Sequence, residues 1–397
     1  MQTKPPILTA AEAKRAVTAL VPTLQERAAL CEALRRAPDE TIADLHAAGL
    51  MRLMQPRAFG GSGLGIDVIF DMALEMCRGC PSTTWVWMNL ATHAWNIGQF
   101  PLQAQHDVWD ADPNALAGTG LAFPAGRARK VERGYRVTGK WPFGSGVDAA
   151  TWMLVGALVD NDGAPPGRRF FLVPRSDFSS LDNWRAYGLT GSGSHDVEVV
   201  DVFVPEHRSL DAAEFATGLE TPGGMAHDCL PYLMPPFPTF GFALGSVPLG
   251  SAKAAIDECV SSTRRRAGTY TGARLAELTP LQIRIAEAYA CVDLFEKTIR
   301  ADMRELIESV ERREAPTIEA RLRWKRNIAF GVSLATRAVD TLMAASGAGG
   351  LSSESALQRH FRDVHASAAH IAMTWDVQGA AYGQHALGLP LAAGLLL

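Results

Sequence analysis

The sequence predicts an α+β protein that is mostly α-helical, with a helical domain at 1–112, a β domain at 113–210 and a C-terminal four-helix bundle at 211–397. Two changes in the spacing of apolar residues carry this prediction. The spacing is helical up to about residue 110, alternates from about 115 to 208, and is helical again in the C-terminal part. A chain of 397 residues can bury a substantial core, so we expect the domains to pack together.

The N-terminal domain is expected to be helical because its Ala-, Leu- and Arg-rich stretches repeat apolar residues every three or four positions. A helix that restarts at Pro38 is expected to pass Leu50 and to end at the Gly60–Gly63 turn. The other expected helices cover Ala11–Leu20, Leu24–Arg36, Phe70–Cys77 and Thr83–Phe100.

The β domain is expected from alternating runs rich in β-branched residues, each bounded by turn residues. Four such runs lie at 134–138, 151–155, 169–173 and 197–204. Together they predict a β domain of roughly 90 residues, which the Gly- and Pro-rich stretch at 218–241 separates from the bundle.

The C-terminal domain is expected to contain four long antiparallel helices, at 243–268, 283–312, 317–347 and 354–388. One apolar stripe runs from Ile285 to Val310, over about seven turns. With the apolar tail Ala386–Leu397, this stripe offers more hydrophobic surface than one bundle needs to cover itself. We therefore expect a homotetramer, arranged as a dimer of dimers.

Composition excludes several classes of partner. The formal net charge is −4, so we expect no nucleic-acid or anionic-membrane surface. The first residues lack the pattern of a signal peptide, and no apolar run approaches membrane-spanning length. The six cysteines are scattered, which argues against a disulfide framework and favours the cytoplasm. Cys77 and Cys80 have no second pair, so we expect no zinc site and no other metal.

Five sequence segments occur in an order that, with the order of the domains, resembles the acyl-CoA dehydrogenase fold. More narrowly, they resemble the oxygenase components of two-component (group D) flavin-dependent monooxygenases, such as 4-hydroxyphenylacetate 3-hydroxylase and steroid-phenol or indole oxygenases. The segments are Ser82–Val86 with His93–Trp95, Gly139–Gly146, Gly188–Ser194, Asp201–Arg208 and Arg362–His370.

The neighbourhood of Asp363 separates two activities of that fold. Its dehydrogenases commonly carry a catalytic glutamate about two helical turns after the corresponding aspartate. Here that neighbourhood holds His370, and no carboxylate follows until Asp376. The sequence therefore favours oxygen chemistry over dehydrogenation of an acyl-CoA, which stays an alternative together with a non-catalytic protein that kept the fold.

The resemblance implies an oxygenase that uses reduced FAD or FMN and O2, through a C4a-hydroperoxyflavin, to hydroxylate or epoxidise a small aromatic substrate such as a phenol or an indole. No nicotinamide-binding site is evident in the sequence, so reduced flavin is expected from a separate reductase. An N- or S-oxygenase on the same scaffold is the nearest alternative.

Ser145 and His370 are the expected catalytic residues. Ser145 lies between Gly144 and Gly146 at a strand end, where its hydroxyl or N–H could meet the flavin edge; the alternative is an ordinary turn serine. His370 follows Asp363 by seven residues, which on a helix is two turns along the same face. An imidazole that titrates near neutrality suits proton transfer, although a packed histidine is the alternative.

The resemblance also implies binding residues for substrate and cofactor. His93 and Thr119 are expected at the substrate pocket, while Trp141, Phe237 and Phe240 could stack on substrate or flavin or could simply be core residues. Gly146 and Trp141 would contact the flavin together with Ser145. Its phosphates are expected at the Arg264–Arg266 run, where we do not choose among the three arginines, and at Gly349 and Gly350 of a neighbouring subunit.

Overall fold

The structure is a computed structural model that describes residues 6–160, 165–268 and 272–392. The end of the apolar tail used in the tetramer prediction, residues 393–397, lies outside the described residues. The predicted order of helices, sheet and helical bundle is confirmed.

Five helices form the N-terminal part: α1 (Ala10–Leu34), α2 (Asp39–Ala47), α3 (Ile66–Met76), α4 (Pro81–Ile97) and α5 (Leu102–Trp109). The two stretches expected at its start are one helix, because α1 continues through Pro22. The expected extension of the second helix to the Gly60–Gly63 turn is wrong. It ends at Ala47, since Gly49 adopts a left-handed φ of 75° that a helix cannot continue through.

Helix α4 is the centre of the molecule, because all of its residues from Pro81 to Ile97 are buried. It packs against α9 of the C-terminal part and against the first strand of the sheet. A helix that is covered on every side brings side chains to both neighbouring layers, so α4 can position residues toward the sheet and the bundle at once.

The sheet has eight strands among the described residues. Its order is β6-β7-β3-β2-β4-β5-β8, with β1 paired in parallel to β4. The four runs expected from the sequence are β3, β4, β5 and β7, whereas the shorter β1, β2, β6 and β8 were not predicted. The bounds are β1 (Ala117–Gly120), β2 (Gly126–Val131), β3 (Gly134–Gly144), β4 (Trp152–Val159), β5 (Gly167–Pro174), β6 (Ser179–Leu181), β7 (His195–Pro205) and β8 (Ser209–Asp211).

The C-terminal part begins with three short helices, two of which lie in the Gly- and Pro-rich stretch at 218–241. These are α6 (Ala212–Thr217), α7 (Pro222–His227) and α8 (Leu230–Leu233). The long helices are α9 (Pro236–Arg265), α10 (Thr279–Glu311) and α11 (Ile318–Ser346). The fourth expected helix is wrong as a single element, since it is divided into α12 (Ala356–Ala368) and α13 (Trp375–Ala386).

The division between α12 and α13 places His370 in a turn rather than on a helix face. The His370 carbonyl accepts hydrogen bonds from the Met373 N–H at 2.7 Å and from the Thr374 hydroxyl at 3.2 Å, and these bonds close the turn. The expectation that His370 continues the face of Asp363 along one helix is therefore wrong.

Most of the apolar stripe of α10 is covered within the chain. From Val292 to Val310 its members are buried, while Tyr289 is 43% exposed. Helix α11 is the one helix among the described residues whose length and hydropathy would allow it to cross a membrane. It also forms the contacts of a bundle helix, against α9, α10, α12 and α13.

Candidate active site

The two expected catalytic residues contact the same side chain, Trp85 of α4. The indole Nε1–H of Trp85 donates a hydrogen bond to Ser145 Oγ at 3.0 Å. The indole ring also meets the His370 imidazole edge-on, with the ring centroids 5.8 Å apart. Sequence reasoning missed Trp85 as a site residue, although it lies in the Ser82–Val86 segment that carried the resemblance. The structure therefore brings Ser145 and His370 into one group.

The turn that carries Ser145 is held by the loop that precedes β7. Gly146 has a left-handed φ of 72° and donates its N–H to the Ser192 carbonyl at 3.0 Å. Ser145 Oγ lies 2.8 Å from Ser194 Oγ, which lies 2.7 Å from Ser192 Oγ. An indole N–H can only donate, so Ser145 Oγ accepts from Trp85 and its own proton is directed elsewhere.

A cavity of about 290 Å³ opens beside this turn. Val86, Gly146 and Ser192 contribute to its wall, and Arg36 and Asp148 add charged groups. The Ser145 turn is therefore not sealed inside the core, and a small molecule can approach it.

Phe143, two residues before Ser145, is a further residue that the sequence did not single out. Its φ is +67°, a left-handed conformation that is rare for a bulky side chain, and its side chain is 69% exposed. The irregular pairing of β3 with β7 between Trp141 and Gly144 accompanies this conformation. The fold thus holds a large apolar ring at the surface beside the Ser145 turn.

His370 is neutral at pH 7, contrary to the expectation that it titrates near neutrality. Burial lowers the pKa of its imidazole to about 4, although part of the side chain stays open to solvent. Its Nδ1 accepts a hydrogen bond from the Ala372 N–H at 3.2 Å. This geometry assigns the single ring proton to Nε2, so His370 offers an N–H donor and its lone pair is already engaged.

A second group joins the expected substrate residues His93, Thr119 and Phe240. His93 is 1% exposed, and its Nδ1 lies 2.8 Å from the Ala117 carbonyl, so Nδ1 carries the proton. Its Nε2 accepts from the Thr119 hydroxyl at 3.2 Å. The Phe240 ring lies 5.9 Å from the imidazole, centroid to centroid. The group combines an aromatic face with a hydrogen-bond acceptor that a substrate hydroxyl or N–H could use.

Trp141 and Phe237 lie elsewhere. The Trp141 side chain is fully buried in the β domain, and its Nε1–H donates to the Gly156 carbonyl at 2.8 Å. It has no exposed surface on which a flavin or substrate could stack, so Trp141 is a core residue and not a site residue. Phe237 packs against Phe170 and Phe215, at centroid distances of 6.2 and 5.6 Å. It borders the aromatic core of the β domain, one turn of α9 before Phe240.

The two expected phosphate-binding segments meet at the surface. A Cβ atom added to Gly349 would lie 3.0 Å from Nη2 of Arg266, so this guanidinium stands against the glycine backbone. Gly350 follows as a buried residue, and Arg264 is exposed in the last turn of α9. The contact favours Arg266 over Arg264 as the partner of the glycine loop.

The Arg362–Asp363 pair is a clamp for the loop that holds Ser145. Arg362 donates to the Tyr187 carbonyl at 2.7 Å and pairs with Glu32 of α1 at 2.6 Å. Asp363 Oδ1 accepts from the Leu189 N–H at 2.6 Å. Loop 188–194 also carries Ser192 and Ser194 to the Ser145 turn. Two of the segments that carried the resemblance are therefore docked against each other.

Buried neutral histidines should make the fold sensitive to mild acid. Burial lowers the pKa of His93 and of His360 to about 4, from 6.5. Between these values the unfolded chain binds protons that the folded chain excludes, so stability is full above about pH 6.5 and falls as the pH drops toward 4. Each histidine contributes about 1.4 kcal/mol per pH unit. Asp363 opposes this trend, because burial raises its pKa to about 7.

Urea unfolding of the unaltered chain and of His360→Gln, at a series of pH values between about 4.5 and 7, checks this expectation. The free energy of unfolding of the variant should change less steeply with pH, and the difference in slope should correspond to about one proton. Equal pH dependence in both proteins would contradict a buried neutral His360.

Among the residues that the structure describes, no group of three or more His, Cys, Asp or Glu side chains is arranged to hold a metal ion. The polar groups of the site are hydroxyl, imidazole and guanidinium groups, which suit an organic cofactor with phosphates and a planar ring.

Comparison with known proteins gives matches to two family models. Residues 11–110 match "Acyl-CoA dehydrogenase, N-terminal domain", and residues 242–375 match "Acyl-CoA dehydrogenase, C-terminal domain". The chain is 36% identical to the oxygenase component of FADH(2)-dependent resorcinol hydroxylase from Rhizobium sp. (strain MTP-10005), over 90% of each chain. It is 34% identical to the oxygenase component of p-hydroxyphenylacetate 3-hydroxylase from Acinetobacter baumannii, over 93% of this chain and 87% of that one.

The same likeness holds in three dimensions. The crystal structure of 3-HSA hydroxylase from Rhodococcus sp. RHA1 superposes with a TM-score of 0.91 at 33% identity, and the match covers 96% of this chain and 98% of that one.

Proposed function

This chain belongs to the family of flavin-dependent monooxygenase oxygenase components that share the acyl-CoA dehydrogenase fold, and on that premise we propose that it hydroxylates a small phenol-like substrate. The observation that carries the proposal is the joint placement of Ser145 and the neutral His370 on Trp85. The two aligned relatives are named for phenolic substrates, resorcinol and p-hydroxyphenylacetate, which favours a phenol over an amine or a thiophene.

The described residues fit a reduced flavin, FAD or FMN. When bound, this cofactor supplies the electrons that activate O2 and delivers one oxygen atom to the substrate. The tight Gly146 turn lets the backbone and hydroxyl of Ser145 approach the edge of a planar ring, and Arg266 beside Gly349 provides a cation and backbone N–H groups for phosphate. Phe143 is held where its exposed ring could cover the cofactor.

Ser145 acts as a directed hydrogen-bonding group. Trp85 Nε1–H donates to its Oγ, so the Ser145 proton has two remaining directions, toward Ser194 or toward the flavin edge. When Ser192 donates to Ser194 and Ser194 donates to Ser145, the Ser145 hydroxyl would be left to donate to a bound flavin. The direction of the hydrogen bonds among Ser192, Ser194 and Ser145 therefore decides whether Ser145 can donate to the flavin.

His93 and His370 act on the substrate side in different ways. His93 Nε2 accepts the hydrogen bond of a phenolic hydroxyl in place of the Thr119 hydroxyl, while Phe240 packs on the aromatic ring. His370 Nε2–H would donate a hydrogen bond to the oxygen atom delivered to the substrate. In this assignment His370 is a neutral donor and does not deprotonate the phenol.

We further propose that the protein works in the cytoplasm as a homotetramer, with reduced flavin supplied by a separate reductase. Exposed apolar side chains support the assembly. Phe330 and Trp375 form an edge-to-face pair at 5.3 Å and are 52% and 43% exposed, and Ile371, next to His370, is 64% exposed. A partner subunit that covers this surface would also exclude water from the His370 turn.

Replacing Phe330 with glutamate should therefore weaken the assembly, because a charge would be placed in the apolar contact. Light scattering should give a tetramer for the unaltered chain and smaller species for Phe330→Glu. Leu30→Glu, at an exposed apolar position of α1 (47% exposed), is the matched control and should stay a tetramer. A monomeric unaltered chain at micromolar concentration would contradict the assembly.

The function is tested by supplying reduced flavin from a separate reductase, with O2 and a panel of substrates: resorcinol, p-hydroxyphenylacetate, indole, an aromatic amine and an acyl-CoA. We expect hydroxylated phenols as products, and no rapid NADH consumption by the chain with flavin alone. Oxidation of only the amine would favour the N-oxygenase alternative. Formation of an enoyl-CoA would establish a dehydrogenase and overturn the proposal.

A further inference from the structure

Two thiols, those of Cys31 and Cys80, lie together outside the groups that bind flavin and substrate. Cys31 is in the last turn of α1, Cys80 is the N-cap of α4, and they are 1% and 2% exposed. Thr83 lies between them: its Oγ1 is 3.6 Å from Cys31 Sγ, and its N–H donates to Cys80 Sγ at 3.5 Å. The two thiols also interact with each other, which raises the pKa of Cys31 and lowers the pKa of Cys80.

The surroundings favour the thiolate form of Cys80. Its sulfur lies at the N-terminus of the 17-residue helix α4, where backbone N–H groups and the helix dipole stabilise a negative charge. The neighbouring Cys31 thiol, followed by the hydroxyl and N–H of Thr83, lowers the pKa of Cys80 to about 7. Cys77 differs, since burial raises its pKa to about 12 and its thiol donates to the Val247 carbonyl.

A small oxidant has a path to this pair. The residues on both sides of Cys80, Gly79 and Pro81, line a cavity of about 410 Å³. Arg78 and Arg359 also line it. Hydrogen peroxide is close to water in size, so the cavity can bring it to the backbone that covers the Cys80 thiol.

A buried acid, Asp363, interacts electrostatically with the Cys80 thiol. Asp363 is 1% exposed; its Oδ1 accepts from the Leu189 N–H, and its Oδ2 has no hydrogen-bond partner among the described residues. Burial, with the Cys80 thiol adding to it, raises the pKa of Asp363 to about 7. Asp363 can therefore take up and return a proton at neutral pH.

We propose that Cys31 and Cys80 form a reversible disulfide when hydrogen peroxide accumulates, which makes this thiol pair a redox-modification site of the enzyme. Cys80 gives up its proton, and its sulfur attacks one oxygen of the peroxide. The O–O bond breaks, Cys80 becomes a sulfenic acid, and the departing hydroxide takes up that proton and leaves as water. The Cys31 thiol then attacks the Cys80 sulfur, the S–S bond forms, and a second water leaves.

In balance, two thiols and one peroxide give one disulfide and two waters.

The proposal depends on the proposed function in one respect only, which is the source of the hydrogen peroxide. Peroxide is released whenever reduced flavin is oxidised without transfer of oxygen to substrate, so the modification would respond to failed turnovers.

The thiol pair is connected to Ser145 through loop 188–194. Cys31 Sγ lies 3.6 Å from the Gly191 carbonyl, and a Cβ added to Gly191 would lie only 2.2 Å from that sulfur. The loop therefore packs directly on the Cys31 thiol, and it also holds the Ser145 turn through Ser192 and Ser194. A disulfide between Cys31 and Cys80 would move the Cys31 sulfur away from Gly191. The loop would then lose its contact with Cys31, and the position of Ser145 would change.

The test begins with the intact, flavin-free protein treated with hydrogen peroxide, followed by mass spectrometry of its unreduced peptides. We expect a peptide pair joined through Cys31 and Cys80, with the loss of two hydrogens, which dithiothreitol reverses. Cys229→Ser removes the exposed cysteine and should leave this link unchanged. Cys31→Ser should not form the link and should instead carry a sulfenic acid at Cys80.

The oxidised protein should form less product per reduced flavin, by roughly tenfold, which is the scale of one lost hydrogen bond. Dithiothreitol should restore the product yield, and Cys31→Ser should resist the reversible loss. A Cys77–Cys80 link, or no link at Cys80, would overturn the proposed pair. A complete Cys31–Cys80 link with unchanged product yield would overturn its effect on the enzyme. The peptide result needs no turnover, so it stands apart from a failure of the proposed function.

Discussion

We expect His370→Ala to lower the product formed per reduced flavin by about 10²–10⁴-fold, the usual scale for a group that manages a proton in catalysis. The flavin should still be oxidised by O2, with hydrogen peroxide released in place of product. Fold and flavin affinity should change little, because His370 lies in the turn between α12 and α13 and its ring contacts Trp85 at one edge only. The measurement compares product, peroxide and flavin consumed in the same reaction.

Two features distinguish a neutral donor from a base at this position. His370→Gln places an amide N–H near the position of Nε2, so it should recover part of the activity if His370 donates a hydrogen bond. The product yield of the unaltered enzyme should show no step near pH 6.5 that belongs to His370, since burial lowers its pKa to about 4.

His365→Ala is the matched control for this prediction. His365 lies nearby on α12 and pairs with Asp340 of α11 at 2.8 Å, so its loss should leave the product yield per flavin unchanged. If His370→Ala kept the full yield, His370 would be a structural residue. Ser145→Ala should behave differently from both, because peroxide would be released faster even in the absence of substrate.

A second large effect is expected for Gly188→Ala, at the clamp between loop 188–194 and α12. A Cβ at this position would lie 2.1 Å from the Arg362 carbonyl oxygen, a backbone atom that cannot move away without shifting the helix. Overpacking of this kind costs about 3 kcal/mol. The loop should separate from α12, and the Ser145 turn that it holds should lose its position.

Chemical unfolding and product yield together measure this effect, and Gly383→Ala is the matched control. Gly383 lies within α13, and an added Cβ there would meet nothing within 4 Å. The control should therefore be neutral or more stable by about 1 kcal/mol, because alanine favours the helix. A Gly188→Ala protein with full stability and full product yield would show that the clamp does not support the site.

The sequence was sufficient to predict the order of the domains, because hydrophobic spacing is a local property. The four strands that were predicted are the longest ones, from Trp152–Val159 to Gly134–Gly144, whereas three- and four-residue strands such as Ser179–Leu181 leave too short an alternation to recognise. The same local pattern could not reveal the division at 369–374. No glycine or proline occurs between Gly350 and Gly379 to mark it.

Motif order also identified Ser145, His370, His93, Thr119 and Phe240 as candidates, and the structure joins them into two groups. It could not identify Trp85 as their link or place Trp141 in the core of the β domain. Both facts depend on contacts across long stretches of chain: Trp85 and Ser145 are 60 residues apart, and Trp141 and Gly156 meet across paired strands.

The sequence by itself thus determined the family and the residue types available for chemistry, since these follow from local spacing and from motifs in order. Only the tertiary structure decided their chemical state. The neutral form of His370 results from burial and from the Ala372 N–H on its Nδ1, and the support of Ser145 results from a loop that Asp363 holds from 174 residues away. Burial and long-range hydrogen bonds exist only in the folded chain, and they set which atom carries a proton.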